Sequence, residues 1–420
     1  MRIKTITIQN FRNIALADLA FDGPRQFFLG ANAQGKTNLL EAAACITALR
    51  SFRAADDRAL IAHGQQEAAI ACCVEHEKFG ETKIIIRLRA SGKEVLCDGE
   101  RVRKLGDYLG RFPTVVFSSQ DILLIRGSPG GRRRWLDLIL AETDPAYLRA
   151  LQEYHRALAE RNQLLKNNSG AIAASAASAS ATAASTNTAS ASARATAANA
   201  AAASAANSSA STPASVNAQL AAFEAPLAAA AAELVARRAA GVLKLGALMT
   251  AAYARIHPET ETAAFAYAPN IANGATLDAT AWAEIFARGR QRDAIMRATL
   301  SGPHRDDCEF SIDARPAREF ASEGQQRSLA IALRMAEAEY LRAATGVQPV
   351  LLADDVLGEL DPARCRRFWA SIHENENTGD SDRSPAPRQM LATGTTAPDA
   401  ELGAWQIFQV REGVFSQIQK

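Results

Sequence analysis

Hydrophobic and polar residues alternate through the first eight positions of the chain, Met1-Arg2-Ile3-Lys4-Thr5-Ile6-Thr7-Ile8. This period of two predicts a β-strand, and the segment has no apolar core of the kind that marks a signal peptide. Short apolar runs predict further strands at 26–29, 83–88, 114–117 and 350–353. Between 95–97 and 101–102, the pair Asp98-Gly99 predicts a two-residue hairpin turn. Since helical patterns alternate with these strands, the predicted fold class is α/β.

A helical period of apolar residues replaces the alternation at 145–166 and again at 220–256. We expect these two helices to pair antiparallel and to form an arm. At the rise of an α-helix the first would reach only about 30 Å, so the arm is short. The arm domain is expected to span 126–299, with 1–125 and 300–420 forming one α/β body around it.

Between the two helices, residues 170–216 are almost entirely Ala, Ser, Thr and Asn. They offer no periodic apolar face for burial, so this segment is expected to be mobile. We interpret it as a spacer inserted in the arm. A tether or a tail that binds a partner is the alternative.

The composition limits the class of protein without naming a partner. With 420 residues, 48% of them hydrophobic, the chain can build one large or two modest cores. Lys+Arg 47 against Asp+Glu 45 leaves a net charge of +2, so any nucleic-acid surface must be local. The six cysteines form no C-x-x-C pair, which disfavours a zinc site or a disulfide framework. No stretch is judged apolar for long enough to span a bilayer, and a cytoplasmic protein is expected.

The sequence contains a phosphate-binding motif. The segment Gly30-Ala31-Asn32-Ala33-Gln34-Gly35-Lys36-Thr37 fits G-x-x-x-x-G-K-[ST]. It follows an apolar strand and precedes a helical pattern, as this chemistry requires. The glycines allow backbone N–H groups to face phosphates, Lys36 places a cation near the β- and γ-phosphates, and the Thr37 hydroxyl is a ligand for Mg²⁺. The sequence therefore predicts ATP and Mg²⁺ as cofactors.

The apolar run 350–353 closes on two carboxylates, Asp354 and Asp355. Paired with a phosphate loop, Asp354 is placed to hold Mg²⁺, and Asp355 is placed to orient or deprotonate the attacking water. Together with Lys36, these two form the predicted catalytic set. A cap on the following helix is the alternative role for either acid.

A serine-led helix start lies upstream of that strand, at Ser322-Glu323-Gly324-Gln325. Its hydroxyl, its free N–H groups and the positive end of the helix dipole suit a phosphate. An ordinary N-cap is the alternative. Downstream of the acidic strand comes Gly358-Glu359-Leu360-Asp361.

The order of these motifs resembles that of ABC-type ATPases, which makes the α/β body an ATPase head of that type. The resemblance implies that Ser322, Gly324 and Gln325 complete the ATP site of a second copy, so that ATP joins two chains. It further implies that Gln120 senses Mg²⁺ and nucleotide, and that Asp361 belongs to the loop that crosses the dimer interface.

Within that class the chain resembles the bacterial RecF family of recombination-repair proteins. The resemblance rests on the following segments: Asn10-Phe11-Arg12-Asn13, Gly35 to Ala42, Ser51-Phe52-Arg53, Gly127-Ser128-Pro129 with Arg132-Arg133-Arg134, and Gly302-Pro303-His304-Arg305-Asp306-Asp307. It implies an ATP-dependent homodimer that clamps duplex DNA or single/double-strand junctions, a RecR-like mediator as partner, and no membrane. Arg12 is assigned to the nucleotide site on the same basis.

Departures from the wider ABC pattern separate the chain from transporters. Asp355 stands where a glutamate is usual, and its shorter side chain predicts slow hydrolysis. After 389–392 the chain continues Thr393-Gly394-Thr395, without the sensor histidine of transporters. The nucleotide-binding subunit of a transporter remains the alternative function, and a chromosome-structuring ATPase with a long coiled coil is a third.

Two further groups of residues keep open roles. His304 and Arg305 are equally compatible with a structural role that links the arm to the head and with nucleotide sensing. Candidate contacts to DNA phosphates are Arg101, Arg103, Lys104, Arg111, Arg132 to Arg134, Arg237, Arg238 and Lys244. Such clusters are more often solvated surface than DNA sites, and only the family resemblance favours DNA.

Overall fold

The computed structural model describes residues 1–54, 56–168, 213–257, 261–356, 364–370, 388–398 and 403–418. The chain forms two compact units. Unit 1 comprises 1–148, 240–267 and 308–420, and unit 2 comprises 149–239 and 268–307. The boundaries between these units lie after residues 148, 239, 267 and 307, and not at 125 and 299 as the sequence suggested. Their assignment to an ATPase head and an arm stays a prediction.

The described strands are β1 Arg2–Phe11, β2 Ile14–Ala20, β3 Arg25–Leu29, β4 Glu67–His76, β5 Gly80–Arg89, β6 Gly92–Cys97, β7 Glu100–Arg101, β8 Thr114–Ser118, β9 Ala263–Ala268, β10 Asp307–Ile312, β11 Arg315–Pro316, β12 Val350–Asp354, β13 Met390–Gly394, β14 Gln406–Arg411 and β15 Val414–Gln417. The described helices are α1 Lys36–Ala48, α2 Ile122–Arg126, α3 Pro129–Thr143, α4 Pro145–Asn167, α5 Pro213–Ile256, α6 Ala279–Met296, α7 Ala317–Phe320 and α8 Glu323–Thr345. Residues 364–370 are also helical. The predicted α/β class is confirmed.

An antiparallel sheet in unit 1 has the strand order β2-β1-β4-β5-β6-β7. The alternation seen at the N-terminus becomes β1, which buries Ile3, Ile6 and Ile8. The register shifts between Ile3 and Thr5, and this irregularity brings residues three apart to the same face. The predicted hairpin turn is also present, with Asp98 at φ 51° and Gly99 at φ 86°. Two positive φ values in sequence give the turn whose twist matches the flanking strands.

A second sheet in unit 1 has the order β15-β14-β3-β13-β12-β8. The strands from β14 to β8 are parallel to their neighbours, so their carboxyl ends lie along one edge. Register pairs Gly394 with Leu29 and Asp354 with Ser118 at that edge. Since functional loops of parallel sheets gather at the carboxyl edge, this topology brings together segments that are far apart in sequence.

One hydrophobic core joins both sheets to α1. It includes Ile6 and Ile8 of β1, Leu39 and Ile46 of α1, and Leu352 of β12. The helix that follows the phosphate-binding loop is thus packed on apolar residues from both sheets. Its first turn is held by the rest of the unit and does not depend on helix propensity.

Unit 2 contains most of α4, the first part of α5, and α6. Leu165 near the end of α4 packs with Val216 and Leu220 near the start of α5, so the two helices run antiparallel as expected. Helix α5 begins at Pro213, earlier than predicted, and proline is favoured in the first turn because it needs no hydrogen-bond partner there. Residues 170–212 of the predicted spacer lie outside the described residues.

Helix α5 also bears on the expectation that no segment could span a membrane. Within the described residues it is long and apolar enough to do so by length and composition, with a mean hydropathy of 1.2 over its most apolar window. The expectation was therefore too strict. This finding is weak evidence for a membrane, since core helices of soluble proteins meet the same criterion, and 44% of that window is buried within the protein.

Candidate nucleotide-binding site

The loop from Gly30 to Thr37 joins β3 to α1, as the sequence predicted. Its backbone turns through two positive φ values, 65° at Ala33 and 109° at Gly35. Gly30 has no room for a side chain, because a Cβ atom there would lie 2.5 Å from the carbonyl oxygen of Val410. The loop is held from β13 by the N–H of Gly30, which donates to the carbonyl oxygen of Gly394 at 3.2 Å.

The turn between β14 and β15 supports the same loop from the other side. The N–H of Gly413 donates to the Gln34 carbonyl oxygen at 2.8 Å, and the N–H of Glu412 donates to Gln34 Oε1 at 2.8 Å. Gln34 is therefore engaged by the protein through its backbone and its side chain. This support was not anticipated, because nothing in the sequence near residue 412 announces a contact with residue 34.

Lys36 is a buried cation at the start of α1. Its ammonium donates to the carbonyl oxygens of Gly30 at 2.6 Å and Ala31 at 2.8 Å. Burial lowers the pKa of Lys36, and the charges of Asp355 and Asp354 oppose that shift. A desolvated ammonium held by neutral carbonyls interacts strongly with an incoming anion, because little water screens it.

Thr37 and Asp354 meet at the carboxyl edge of the parallel sheet. Thr37 Oγ1 donates to Asp354 Oδ1 at 2.8 Å, although the two residues are more than 300 positions apart. Hydroxyl and carboxylate oxygens are the donors that Mg²⁺ prefers, so this pair fits the ion assigned to it.

Thr393, at the end of β13, joins the two acidic residues and was missed by the sequence reasoning. Its hydroxyl donates to Asp354 Oδ1 at 3.1 Å and accepts the backbone N–H of Asp355 at 3.0 Å. The sequence contained a usable signal, because Thr393 directly follows the apolar run 390–392, as Asp354 follows the run 350–353. Asp355 adopts a left-handed backbone with φ 54°.

Opposing effects act on the pKa of Asp354. Burial raises it, and the hydrogen bonds from Thr37 and Thr393, together with the charge of Arg53, counter part of that rise. A bound cation would favour the ionised form still further. The carboxyl group is therefore suited to exchange a proton for a metal ion.

Arg12 holds the first hairpin on α1. Its guanidinium donates twice to the fully buried carboxylate of Glu41, at 3.0 Å and 2.9 Å. Ser51 Oγ also donates to Glu41 and caps the N–H groups of Arg53 and Ala54. The described contacts of the Arg12 side chain are thus with α1, and its assignment to the nucleotide stays a prediction. Glu41 was not among the predicted site residues.

The serine-led helix start has the capping geometry that was the alternative role for it. Ser322 Oγ accepts the N–H of Gln325 at 3.3 Å, and Gln325 Oε1 accepts the N–H of Ser322 at 2.7 Å. Gln325 Nε2 then donates to Glu261 at 2.7 Å. A Cβ atom at Gly324 would meet the guanidinium of Arg364, the end of a flexible side chain that can move aside. The cap leaves the exposed Ser322 in place for a second role, which stays a prediction.

Gln120 lies in the short turn Ser119–Asp121 that follows β8, and its side chain is exposed. Ser118 Oγ accepts the N–H of Gln120 at 3.2 Å, and Asp121 accepts the N–H of Ser118 at 2.8 Å. Because Ser118 pairs with Asp354, the turn follows the same sheet edge as the acidic pair. Asp361, the last predicted interface residue, lies outside the described residues.

Two of the basic residues suggested for DNA are internal. Arg132 is 4% exposed and donates to the carbonyl oxygen of Gly127 at 2.9 Å. Arg238 is 3% exposed and donates to Pro303 and to the buried Asp306 within unit 2. For these two the DNA prediction is wrong, because their charges are used to satisfy buried oxygens. The exposed members of the set are Arg101, Arg103, Lys104, Arg111, Arg134 and Lys244.

The segment from Gly302 to Asp307 has a structural role in unit 2. His304 Nδ1 lies 2.6 Å from the Tyr154 hydroxyl, and His304 Nε2 lies 2.9 Å from the carbonyl oxygen of Thr299. Asp306 accepts the N–H of Asn270 at 2.7 Å. Both ring nitrogens of His304 are thus occupied within unit 2, which favours a structural role over nucleotide sensing. A link between the arm and the head stays a prediction.

Comparison with known proteins agrees with this arrangement. The sequence profile described as "RecF/RecN/SMC N terminal domain" matches residues 2–380. A protein of Trichormus variabilis named "DNA replication and repair protein RecF" is 36% identical over 421 residues, covering 99% of this chain and 98% of the relative. A Synechococcus protein of the same name is 33% identical over 385 residues, covering 90% of each chain.

Solved structures give the same result. The structure described as the recombination mediator protein RecF with ATP superposes with a TM-score of 0.79 at 26% identity, covering 100% of this chain and 98% of the other. An Smc head bound to a domain of ScpA gives a TM-score of 0.51 at 14% identity, covering 100% of this chain and 98% of the other, and shows the fold alone. Profile, relatives and fold together show that the chain belongs to the RecF family.

Proposed function

We propose that the chain is an ATP-binding protein of DNA replication and repair. Its relatives carry that name, and a similar solved structure is described with ATP. The observation that carries the proposal is the 2.8 Å hydrogen bond between Thr37 and Asp354, beside the buried ammonium of Lys36. It joins the phosphate-binding loop to the acidic strand end, the two parts that a magnesium nucleotide requires.

The residues present fit ATP and Mg²⁺. The ammonium of Lys36 donates to the carbonyl oxygens of Gly30 and Ala31. With ATP bound, it would contact the β- and γ-phosphates instead. Thr37 and Asp354 would hold the metal, which when bound neutralises charge on the phosphates. Gln120, at the same sheet edge, would complete the metal shell.

Asp355 is proposed to orient the attacking water. Its backbone N–H is fixed by Thr393, so its position is defined relative to Asp354. Aspartate is one methylene shorter than glutamate and reaches less far from the strand end. The proposed activity is therefore a slow ATP hydrolysis that resets a switch.

ATP is proposed to join two copies head to tail. Ser322, Gly324 and Gln325 of one copy would contact the γ-phosphate held by Lys36 of the other, and Asp361 would cross the interface. Support comes from the exposed position of Ser322 at the positive end of an α8 that spans 23 residues. In a single chain, the ATP site would lack the contact from Ser322, and the helix start at Ser322 would lack its phosphate.

Closure of the dimer is proposed to clamp duplex or gapped DNA in the cytoplasm. Exposed cations such as Arg101, Arg103, Lys104 and Lys244 would contact phosphates, which implies little sequence preference and a strong dependence on salt. A RecR-like mediator would recognise the closed form. No observation favours the transporter alternative.

The deciding experiment is sedimentation of the purified protein with and without ATP, in the absence and presence of a gapped duplex. We expect a monomer without ATP, a dimer with ATP, and a dimer on DNA that is stable only with ATP. A nucleotide-loaded protein that stays monomeric in both settings would refute the shared site.

A further inference from the structure

A cavity of about 280 Å³ in unit 1 lies outside the residues assigned to ATP. Its walls come from the end of α1 and the residues after it, from β8, from α3 and from α8. Its described lining contains none of residues 30–37. The volume is near the lower end of the range for small-molecule sites, about 300 Å³.

Several polar groups in the wall have partners within the protein. Thr47 and Thr114 share a hydrogen bond of 2.6 Å, and Glu337 accepts Trp135 Nε1 at 2.8 Å and Arg334 Nη1 at 2.7 Å. Among the described residues, the carboxyl group of Glu142 has neither a hydrogen bond nor an ion pair, although the residue is only 7% exposed. A largely buried polar group without a partner is costly, so this carboxyl is available to bind a ligand that enters the cavity.

Chemistry at the two ends of the cavity differs. Arg50 and Arg134 line it with exposed guanidinium groups that form no ion pair among the described residues. Glu142 is largely buried, and burial together with the charge of Glu337 raises its pKa well above the ordinary value, which favours the protonated carboxyl group. The cavity therefore combines exposed cations with a largely buried carboxyl group. Phe52 and Trp135 also line it and supply aromatic surface.

We propose that this cavity binds a mononucleotide unit, with its phosphate on Arg50 and Arg134 and its base facing Glu142. Guanidinium groups are the preferred protein partners of phosphate. A carboxylic acid presents a donor and an acceptor side by side, which matches the adjacent ring nitrogen and amino group of adenine or cytosine. A nucleobase also packs well against aromatic side chains. A simple organic dianion would satisfy the mouth and leave Glu142 without a partner.

The site is distinct from the proposed ATP site and can be tested apart from it. Deoxyadenosine monophosphate lacks the β- and γ-phosphates that Lys36 would contact. We expect calorimetric titration to give saturable binding of one equivalent, with the same affinity in the wild type and in Lys36→Met. Failure of ATP binding in Lys36→Met would leave this result unchanged, so the two proposals can fail separately.

Variants and probes identify the groups involved. Arg134→Gln and Glu142→Met are each expected to weaken binding about tenfold or more, the usual effect of losing a charge-assisted or buried hydrogen bond. Arg315→Gln, at an exposed arginine of unit 1 outside the lining, is the matched control and is expected to bind normally. Adenosine and inorganic phosphate each satisfy one end of the cavity and are expected to bind far more weakly than the nucleotide.

The nucleotide could be free or part of a strand, and one further titration distinguishes these sources. A 5′-phosphorylated trinucleotide that displaces the monophosphate identifies a strand end as the occupant, and one that does not identifies a free nucleotide. The proposal is overturned if the monophosphate does not bind at millimolar concentration. It is equally overturned if Arg134→Gln and Glu142→Met both bind it like the wild type. Arg134 is exposed, so its variant keeps the test decisive should Glu142→Met fail to fold.

Discussion

Thr393 carries one hydroxyl that serves two acidic residues. It donates to Asp354 and accepts from the backbone of Asp355, so it contributes to the pKa of the first and to the position of the second. A residue that was not among the predicted site residues thereby acts on the group that is proposed to bind the metal. Its effect can be separated from that of Thr37, which donates to the same oxygen.

Replacement of Thr393 by valine keeps the shape and removes the hydroxyl. The hydrogen bond from Thr393 lowers the pKa of Asp354, so its loss is expected to raise that pKa further. Metal-dependent ATP binding requires the ionised acid, and its loss on acidification should therefore begin at a higher pH in Thr393→Val. Binding titrations across a pH series measure the shift, and Thr393→Ser should restore the wild-type profile. Superimposable profiles for all three proteins would rule out this role.

A single residue, Glu142, is expected to make the stability of unit 1 depend on pH. Its folded-state pKa is raised above the ordinary value of 4.5, so the folded protein binds more protons than the unfolded chain between these two values. The stability of unit 1 should therefore fall as pH rises from about 4.5 through the folded pKa.

Glu142→Gln removes that titration. We expect the variant to be more stable than the wild type by roughly 1–3 kcal/mol at alkaline pH, with a smaller difference at pH below the ordinary pKa. Urea denaturation followed at several pH values measures the change. Glu284→Gln, on the exposed face of α6, is the control and should leave the midpoint unchanged. If the stability of the wild type relative to Glu142→Gln does not fall as pH rises, the result would contradict the buried position of the acid.

At the scale of elements, unit 2 is organised by one buried arginine. Arg161 of α4 is 0% exposed and donates to Glu224 of α5 at 3.1 Å and to Asp293 of α6 at 2.8 Å. It also donates to Thr299 at 2.7 Å. One side chain thus joins three helices, and a buried charge with several fixed partners favours a single helix arrangement over slipped ones.

Arg161→Met should destabilise unit 2 by about 3–5 kcal/mol, because Glu224 and Asp293 would be left as buried charges with fewer partners. Arg156→Met on the same helix is the matched control. Arg156 is exposed and, among the described residues, forms its ion pair with Glu153 three residues away, so that variant should unfold like the wild type. Thermal unfolding followed by circular dichroism compares the two. Equal midpoints would show that the Arg161 network contributes no stability.

At the scale of the whole molecule, the proposed switch needs two chains. The phosphate-binding loop and the acidic strand end share one sheet edge, whereas the described side-chain bonds of Ser322 and Gln325 are made at the helix start and with Glu261. In the proposed switch, a second copy would supply the contact to the γ-phosphate. Ser322 would then control association and not ATP binding.

Ser322→Arg should leave ATP binding to the single chain almost unchanged and prevent association, because a long cation replaces the hydroxyl at the interface. Sedimentation with ATP detects the dimer. Asp278→Arg is the matched control, since it places the same side chain at the N-cap of α6 in unit 2 and should still allow association. An ATP-induced dimer of Ser322→Arg would contradict the shared site.

Lys36→Met should abolish ATP binding, association and DNA retention together. The buried ammonium is the central cation of the loop, and each later step depends on the nucleotide. Filter binding to a gapped duplex at physiological salt, with and without ATP, measures the last step. DNA retention that survives unchanged would show that the clamp does not depend on ATP.

Local patterns were sufficient for much of the fold and for the phosphate-binding loop. The period of two predicted β1, a short apolar run predicted β5, the period of 3.6 predicted α4 and α5, and Asp98-Gly99 predicted its turn. Each of these depends on backbone preferences and burial within a few neighbouring residues, which the sequence displays directly. The loop from Gly30 to Thr37 is contiguous for the same reason, because one turn of backbone forms its phosphate cradle.

Contacts between distant residues required the folded chain. Thr393 reaches Asp354 and Glu41 reaches Arg12 because parallel strands and a shared core bring their elements together, and no local pattern encodes those pairs. Burial likewise separated Arg132 and Arg238 from the exposed arginines, although all look alike in sequence. Glu142 is a similar case, because the sequence shows only an acidic residue and does not reveal its cavity or its lack of a partner among the described residues. A sequence motif within one segment depends on neighbouring residues, whereas side-chain partners and burial are set by packing between residues hundreds of positions apart.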